Sequence, residues 1–245
     1  MIKLVLAGVL SLLASLATPF ATPMAMGQSV KIPKKNIKGD NSGAIYYVVS
    51  IGINRYQDSF WPDLKWPEAD SRRIAKSLGD GAGMEKVVLR LQGDKATTPA
   101  IRKTLGRLSQ IARAQDVVVV YLSGHGTLAQ SSNGQLSRVF VTHDTKPGAP
   151  QQTGLPHSFV SGWLENLPAR RKLVIYATCH SGVGKSKLPP KVARLLQGQK
   201  GLNRRLEDVS EGSLILSASA KNEVAREDDR LKADIYTHFL LEALD

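Results

Sequence analysis

The sequence predicts an α/β fold built on a mostly parallel sheet, with helices covering both of its faces. Three observations carry this. Short, continuous apolar runs recur along the chain, as in strands buried on both sides. Segments with helical spacing alternate with them, the pattern of parallel sheets joined by crossover helices. The chain has 245 residues, 42% of them hydrophobic. That is enough for one such domain and too apolar for a disordered chain.

The elements follow in order. Residues 46–53 (YYVVSIGI) read as the first strand. Residues 67–78 read as a helix with Ile74, Ala75 and Leu78 on one face. Residues 86–91 (KVVLRL) are a second strand. Thr98 is a capping hydroxyl and Pro99 takes the first helical position. Ile101, Leu105, Leu108 and Ile111 then recur at helical spacing. Residues 116–122 (DVVVVYL) are the strongest strand, and 138–142 form a short hairpin strand. Phe159, Val160, Trp163, Leu164 and Leu167 mark another helical face. Residues 172–177 (KLVIYA) and 213–217 (SLILS) are further core strands, and 233–244 form a closing helix.

Residues 1–27 read as a secretory signal, with Lys3 followed by an apolar run over 4–17. Ala25-Met26-Gly27 supplies small residues for cleavage, leaving Gln28 first in the mature chain. The expectation is export, to the periplasm or beyond the cell. A membrane partner is expected only if the segment stays uncleaved as an anchor. Residues 28–45 are polar and basic, broken by Pro33, Gly39 and Gly43, and read as a linker. The domain proper is expected over 46–245.

The formal charge is +12. Much of it is concentrated in 183–206, which carries Lys185, Lys187, Lys191, Arg194, Lys200, Arg204 and Arg205 and no acid. No nucleic-acid-binding motif accompanies this segment, and aromatics are only 6% of the chain, so no nucleic-acid partner is expected.

Two predicted strand ends stand out. The strand at 116–122 runs into Ser123-Gly124-His125-Gly126, and the strand at 172–177 into Thr178-Cys179-His180-Ser181-Gly182. In a parallel sheet both ends lie on one edge, where such folds place their sites. Thiol catalysis needs this pairing. A free thiol, with a pKa of about 8.5, is largely protonated at neutral pH. A neighbouring imidazole can take its proton and later give it to a leaving amine. The N–H groups of Gly126 and Cys179 are the natural donors for the oxyanion. Cys179 is the only cysteine, so there is no internal disulfide.

These two blocks resemble the signature blocks of the caspase–metacaspase family of cysteine peptidases. His125 precedes Cys179 by 54 residues, near the roughly 50 of caspases. Asn54-Arg55-Tyr56, Glu68-Ala69-Asp70, the stretch 216–219 (LSAS) and the stretch 236–244 (YTHFLLEAL) are also similar to the family. The likeness is to the metacaspase and bacterial caspase-homologue branch, since the animal-caspase Gln-Ala-Cys block is absent. It implies a caspase-like three-layer α/β/α sandwich hydrolysing peptide or protein substrates. Cys179 would be nucleophile and His125 base and acid, with the Gly126 N–H at the oxyanion. It also implies cleavage after Arg or Lys through acidic pocket residues. Asp70 matches one of these, whereas Ala177 stands where the other is usual. The basic 183–206 segment matches the loop in which relatives are processed, so self-cleavage is expected there if the pocket takes basic residues.

Rival readings have less support. Gly184-Lys185-Ser186 lacks the first glycine of a phosphate loop, whose position is Cys179. The five histidines form no zinc motif, and no metal site is predicted. Members of the family commonly depend on calcium. No carboxylate-dense loop of suitable spacing is present, however, and Glu227-Asp228-Asp229 reads as a solvated turn. A serine hydrolase built on Ser123 or Ser181 lacks the G-x-S-x-G elbow. The alternative of another class is an inactive caspase-like binding or scaffold module.

Overall fold

The computed structural model describes residues 43–80, 84–130, 134, 136–178, 213–217 and 227–244. The predicted signal, most of the linker, Cys179 and the basic 183–206 segment lie outside the described residues. The elements in chain order are β1 (Ile45–Gly52), α1 (Pro67–Ser77), β2 (Glu85–Gln92), α2 (Thr98–Ile111), β3 (Val117–Ser123), β4 (Gly126–Gln130) and β5 (Leu136–Phe140). They continue with α3 (Pro150–Thr153), β6 (Leu155–Pro156), α4 (His157–Glu165), β7 (Arg171–Ala177), β8 (Ser213–Ser217), β9 (Glu227–Asp228), β10 (Ala233–Asp234) and α5 (Ile235–Leu244).

Among the described residues, five strands form one parallel sheet in the order β2-β1-β3-β7-β8. Apolar residues make up most of β1, β3 and β7 because both faces of these strands are covered. Alternate residues of β1 divide the core. Tyr47, Val49 and Ile51 pack with Ile101, Leu105 and Leu108 of α2 and Val160 and Leu164 of α4. Tyr46 and Val48 pack on the other face with Ile74 and Ala75 of α1 and Leu240 of α5. The result is a three-layer α/β/α sandwich. Among the described residues no helix is long and apolar enough to cross a membrane.

Three local expectations are corrected. The α2 cap is Thr97, whose hydroxyl accepts the Ala100 N–H at 3.3 Å. Thr98 is instead buried, its hydroxyl bonded to Thr142 Oγ1 (2.7 Å) and the Thr153 carbonyl (2.8 Å). The closing helix starts at Ile235, because Ala233 and Asp234 pair with β9 and the Asp234 carboxylate accepts the Tyr236 N–H (3.0 Å). The acidic run is more than a solvated turn: Asp229 is exposed, but Glu227 is docked. The Glu227 carboxylate accepts the N–H groups of Lys65 (3.0 Å) and Trp66 (2.9 Å), at the start of α1. Trp66 gives that helix no side-chain cap, and a carboxylate at a helix N-terminus is favoured by the exposed N–H groups and the dipole.

A small second sheet, β4-β5-β6, leaves the main one just after His125. The predicted hairpin strand at 138–142 is β5, shifted to Leu136–Phe140; its partner β4 is an element the sequence reading does not assign.

Candidate active site

Register fixes what the two strand ends present. Ser123 of β3 is opposite Ala177 of β7. His125 follows two residues after Ser123, and Cys179 two residues after Ala177. Thr178, the last described residue before Cys179, is fully buried.

His125 itself is 1% exposed. Its Nε2 lies 2.7 Å from the Pro62 carbonyl. A carbonyl only accepts, so Nε2 carries the proton and Nδ1 is the basic nitrogen of the neutral ring. The ring also stacks obliquely on Tyr56 (centroids 5.0 Å) and lies 6.3 Å from Trp61. Trp61 is buried and anchors the Pro62 loop by donating Nε1–H to the Thr145 carbonyl (2.9 Å). The same loop is braced by the His143 ring, which donates from Nδ1 to the Arg55 carbonyl (2.9 Å). The His125 backbone N–H donates to the Tyr56 hydroxyl (2.8 Å). Burial pushes the Tyr56 phenol well above its ordinary pKa, so it stays protonated.

Gly126 is the first residue of β4, opposite Phe140. The Val141 N–H donates to the His125 carbonyl at 2.9 Å. That bond makes Gly126–Phe140 a non-hydrogen-bonded antiparallel pair, so the ladder does not use the Gly126 N–H.

Asp70 belongs to a different network. It is fully buried on α1, the helix facing away from the Tyr56–Trp61 cluster. Arg73 pairs with its Oδ1, and the Asp234 N–H donates to its Oδ2 (2.9 Å). Burial raises its pKa to about 6, against the pull of the Asp234 N–H and Arg73. Ala177 is buried too and adds no charge nearby. Among the described residues, no group of three or more His, Cys, Asp or Glu gathers to hold a metal.

Sequence reasoning missed Pro62 and Trp61, and gave Tyr56 no role. Its one available signal was the aromatic cluster Tyr56, Phe60 and Trp61, directly after the carboxyl end of β1.

The family model for the caspase domain of peptidases matches residues 47–245. The chain belongs to this family. The crystal structure of a protein from Geobacter sulfurreducens shares the fold, with a TM-score of 0.61, 17% identity and 80% of each chain covered. No curated protein matches the chain by sequence. The caspase-domain membership accounts for the five-stranded parallel sheet between helices.

Proposed function

We propose that this caspase-family protein is a cysteine endopeptidase in which Cys179 is the nucleophile and His125 its base. The observation that carries the reading is the held state of His125. Its Nε2–H is committed to the Pro62 carbonyl (2.7 Å), which selects the tautomer with Nδ1 as proton acceptor. A general base must be both positioned and in the right protonation state, and this bond does both. The matched strand ends at Ser123 and Ala177 support the pairing with Cys179.

In the mechanism, Nδ1 takes the thiol proton and the thiolate sulfur attacks the substrate carbonyl carbon. The oxyanion is met by the N–H groups of Gly126 and Cys179. The imidazolium then protonates the leaving amine as the C–N bond breaks. Water, deprotonated by the same imidazole, releases the acyl group and restores the thiol. The Pro62 carbonyl stabilises the imidazolium while it exists, as an acceptor on the opposite nitrogen.

Cleavage after Arg or Lys is part of the proposal and rests on Asp70. With Arg73 already on that carboxylate, a substrate guanidinium would have to exchange for Arg73, whose side chain is 39% exposed and also donates to the Lys232 carbonyl (2.6 Å). Self-cleavage within 183–206, export by residues 1–27 and any calcium dependence belong to the same proposal.

The test is a mixed peptide library treated with the purified protein and with its Cys179→Ala and His125→Ala variants. Cleavage by the unaltered protein alone supports the assignment. Equal cleavage by all three, or none by any, removes it in favour of a binding or scaffold module.

A further inference from the structure

The parallel ladder between β1 and β3 ends in an unusual way. Gly52 is opposite Ser123. The next pair along would be Ile53 and Gly124. In a parallel ladder its two bonds run from the Ile53 N–H to the Ser123 carbonyl and from the His125 N–H to the Ile53 carbonyl. The first is made, at 3.1 Å. In place of the second, the His125 N–H donates to the Tyr56 hydroxyl (2.8 Å), and that hydroxyl donates to the Ile53 carbonyl (3.3 Å). One hydroxyl has been spliced into the rung. Both backbone groups are satisfied, but the histidine turn meets the sheet through the Tyr56 hydroxyl and not directly.

The glycine before His125 fits the same device. Gly124 has φ +154°, and a Cβ there would lie 2.7 Å from the Tyr56 hydroxyl oxygen. Below 3.0 Å something has to shift. The absent side chain is therefore the room the hydroxyl occupies. Tyr56 is itself 9% exposed and packs in the core cluster, which holds its ring in place.

We propose that Tyr56 is a positioning residue for His125: its hydroxyl, inserted into the last β1–β3 rung, sets the standoff of the imidazole at the edge of the sheet. The inference rests on the proposed role of His125, while the splice itself is a property of the fold. Without the hydroxyl, the His125 N–H can close directly on the Ile53 carbonyl. That draws the histidine toward β1 and alters both its bond to Pro62 and its reach toward a thiol. Displacements of about 1 Å in a catalytic group can cost on the order of a hundredfold in rate.

The experiment uses the full chain, the Tyr56→Phe variant and, as a second perturbation that keeps the hydroxyl but displaces it, Gly124→Ala. Nuclear magnetic resonance reads the backbone amide and ring signals of His125. Peptide cleavage reads kcat and KM, and thiol labelling reads the pH profile of Cys179 reactivity. In both variants the His125 signals should move. In Tyr56→Phe, kcat should fall about tenfold or more while KM stays within about twofold, and the labelling profile should be displaced along the pH axis. Unmoved His125 signals in Tyr56→Phe overturn the proposal, as does an unchanged kcat and pH profile. If the unaltered protein neither cleaves nor labels, the peptidase reading falls instead, and the His125 signals alone decide the splice.

Discussion

Replacing Gly52 by alanine should be among the most damaging single-methyl additions to this fold. Gly52 ends β1, where the first turn of α1 crosses it. A Cβ there would lie 2.4 Å from the Pro67 carbonyl oxygen, 2.8 Å from the Pro67 carbonyl carbon and 2.7 Å from Ser71 Oγ. Two of these atoms are backbone, so rotating Ser71 alone cannot relieve the clash. The first turn of α1 would have to retreat by at least 0.6 Å to reach the 3.0 Å that real Cβ atoms respect. Overpacking of this kind costs about 1–3 kcal/mol. The retreat also strains the Ser50 Oγ bond to the Ser71 carbonyl (2.5 Å) and the Gln92 bond to Ser71 Oγ (2.6 Å), each worth about 1 kcal/mol. The expected loss is about 3–5 kcal/mol, a large share of a domain stability of about 5–15 kcal/mol. Urea denaturation followed by circular dichroism measures it. Gly106→Ala is the matched control: the site is an exposed position in α2 with nothing within 4 Å of the new methyl. It should stabilise by about 0.5–1 kcal/mol. A Gly52→Ala loss under about 1 kcal/mol, or a change of the same sign and size as that of the control, would refute the close-approach argument.

Three further outcomes follow from the same structure. The folded state holds Asp70 at a pKa of about 6, above its ordinary 3.8, so between those values it binds more protons than the unfolded chain. The stability Asp70 contributes is then full below about pH 4 and is lost as pH rises through about 6, by roughly 3 kcal/mol. Asp70→Asn should remove that part of the slope in a pH series of melting curves, and identical slopes would contradict it. Glu227→Gln should cost about 1–2 kcal/mol, because the charge that meets the Lys65 and Trp66 N–H groups at the start of α1 is gone. A denaturation midpoint matching the unaltered protein would argue against that docking. A peptide panel should show cuts after Arg or Lys, with kcat/KM at those sites lowered at least about tenfold by Asp70→Asn. Cuts concentrated after other residues would take Asp70 out of the pocket.

Much of the fold was readable from the chain, for reasons visible in particular residues. Strands β1, β3 and β7 are buried on both faces, so each contains a run of at least five consecutive apolar residues. Strand β4 (GTLAQ) was not readable: it begins in the glycine turn itself, and pairing with β5, not its own pattern, makes it a strand. The start of α5 was misplaced because β9 claims Ala233 and Asp234, a tertiary choice no local propensity reveals. Lys172 is a further case. A lysine within a core strand looks anomalous, yet its ammonium donates to the Leu164 and Leu167 carbonyls at the end of α4, with its pKa lowered by burial. Of the candidate site, His125 was legible because a strand end and two glycines frame it. Pro62 was not, since it meets His125 across 63 residues through a backbone carbonyl, and any residue type could supply that group. The pairing of Arg73 with Asp70 was within reach of the sequence, as an i,i+3 pair on one helix face.

The central claim is that His125 activates Cys179, and thiol labelling tests it most directly. Cys179 is the only cysteine, so every event of alkylation by iodoacetamide reports on it alone. The rate should be fast near neutral pH, where an isolated thiol with a pKa of about 8.5 is mostly protonated, and should drop at least about tenfold in His125→Ala. A slow rate that is the same with and without the imidazole would contradict the dyad and leave this caspase-family domain as a binding module.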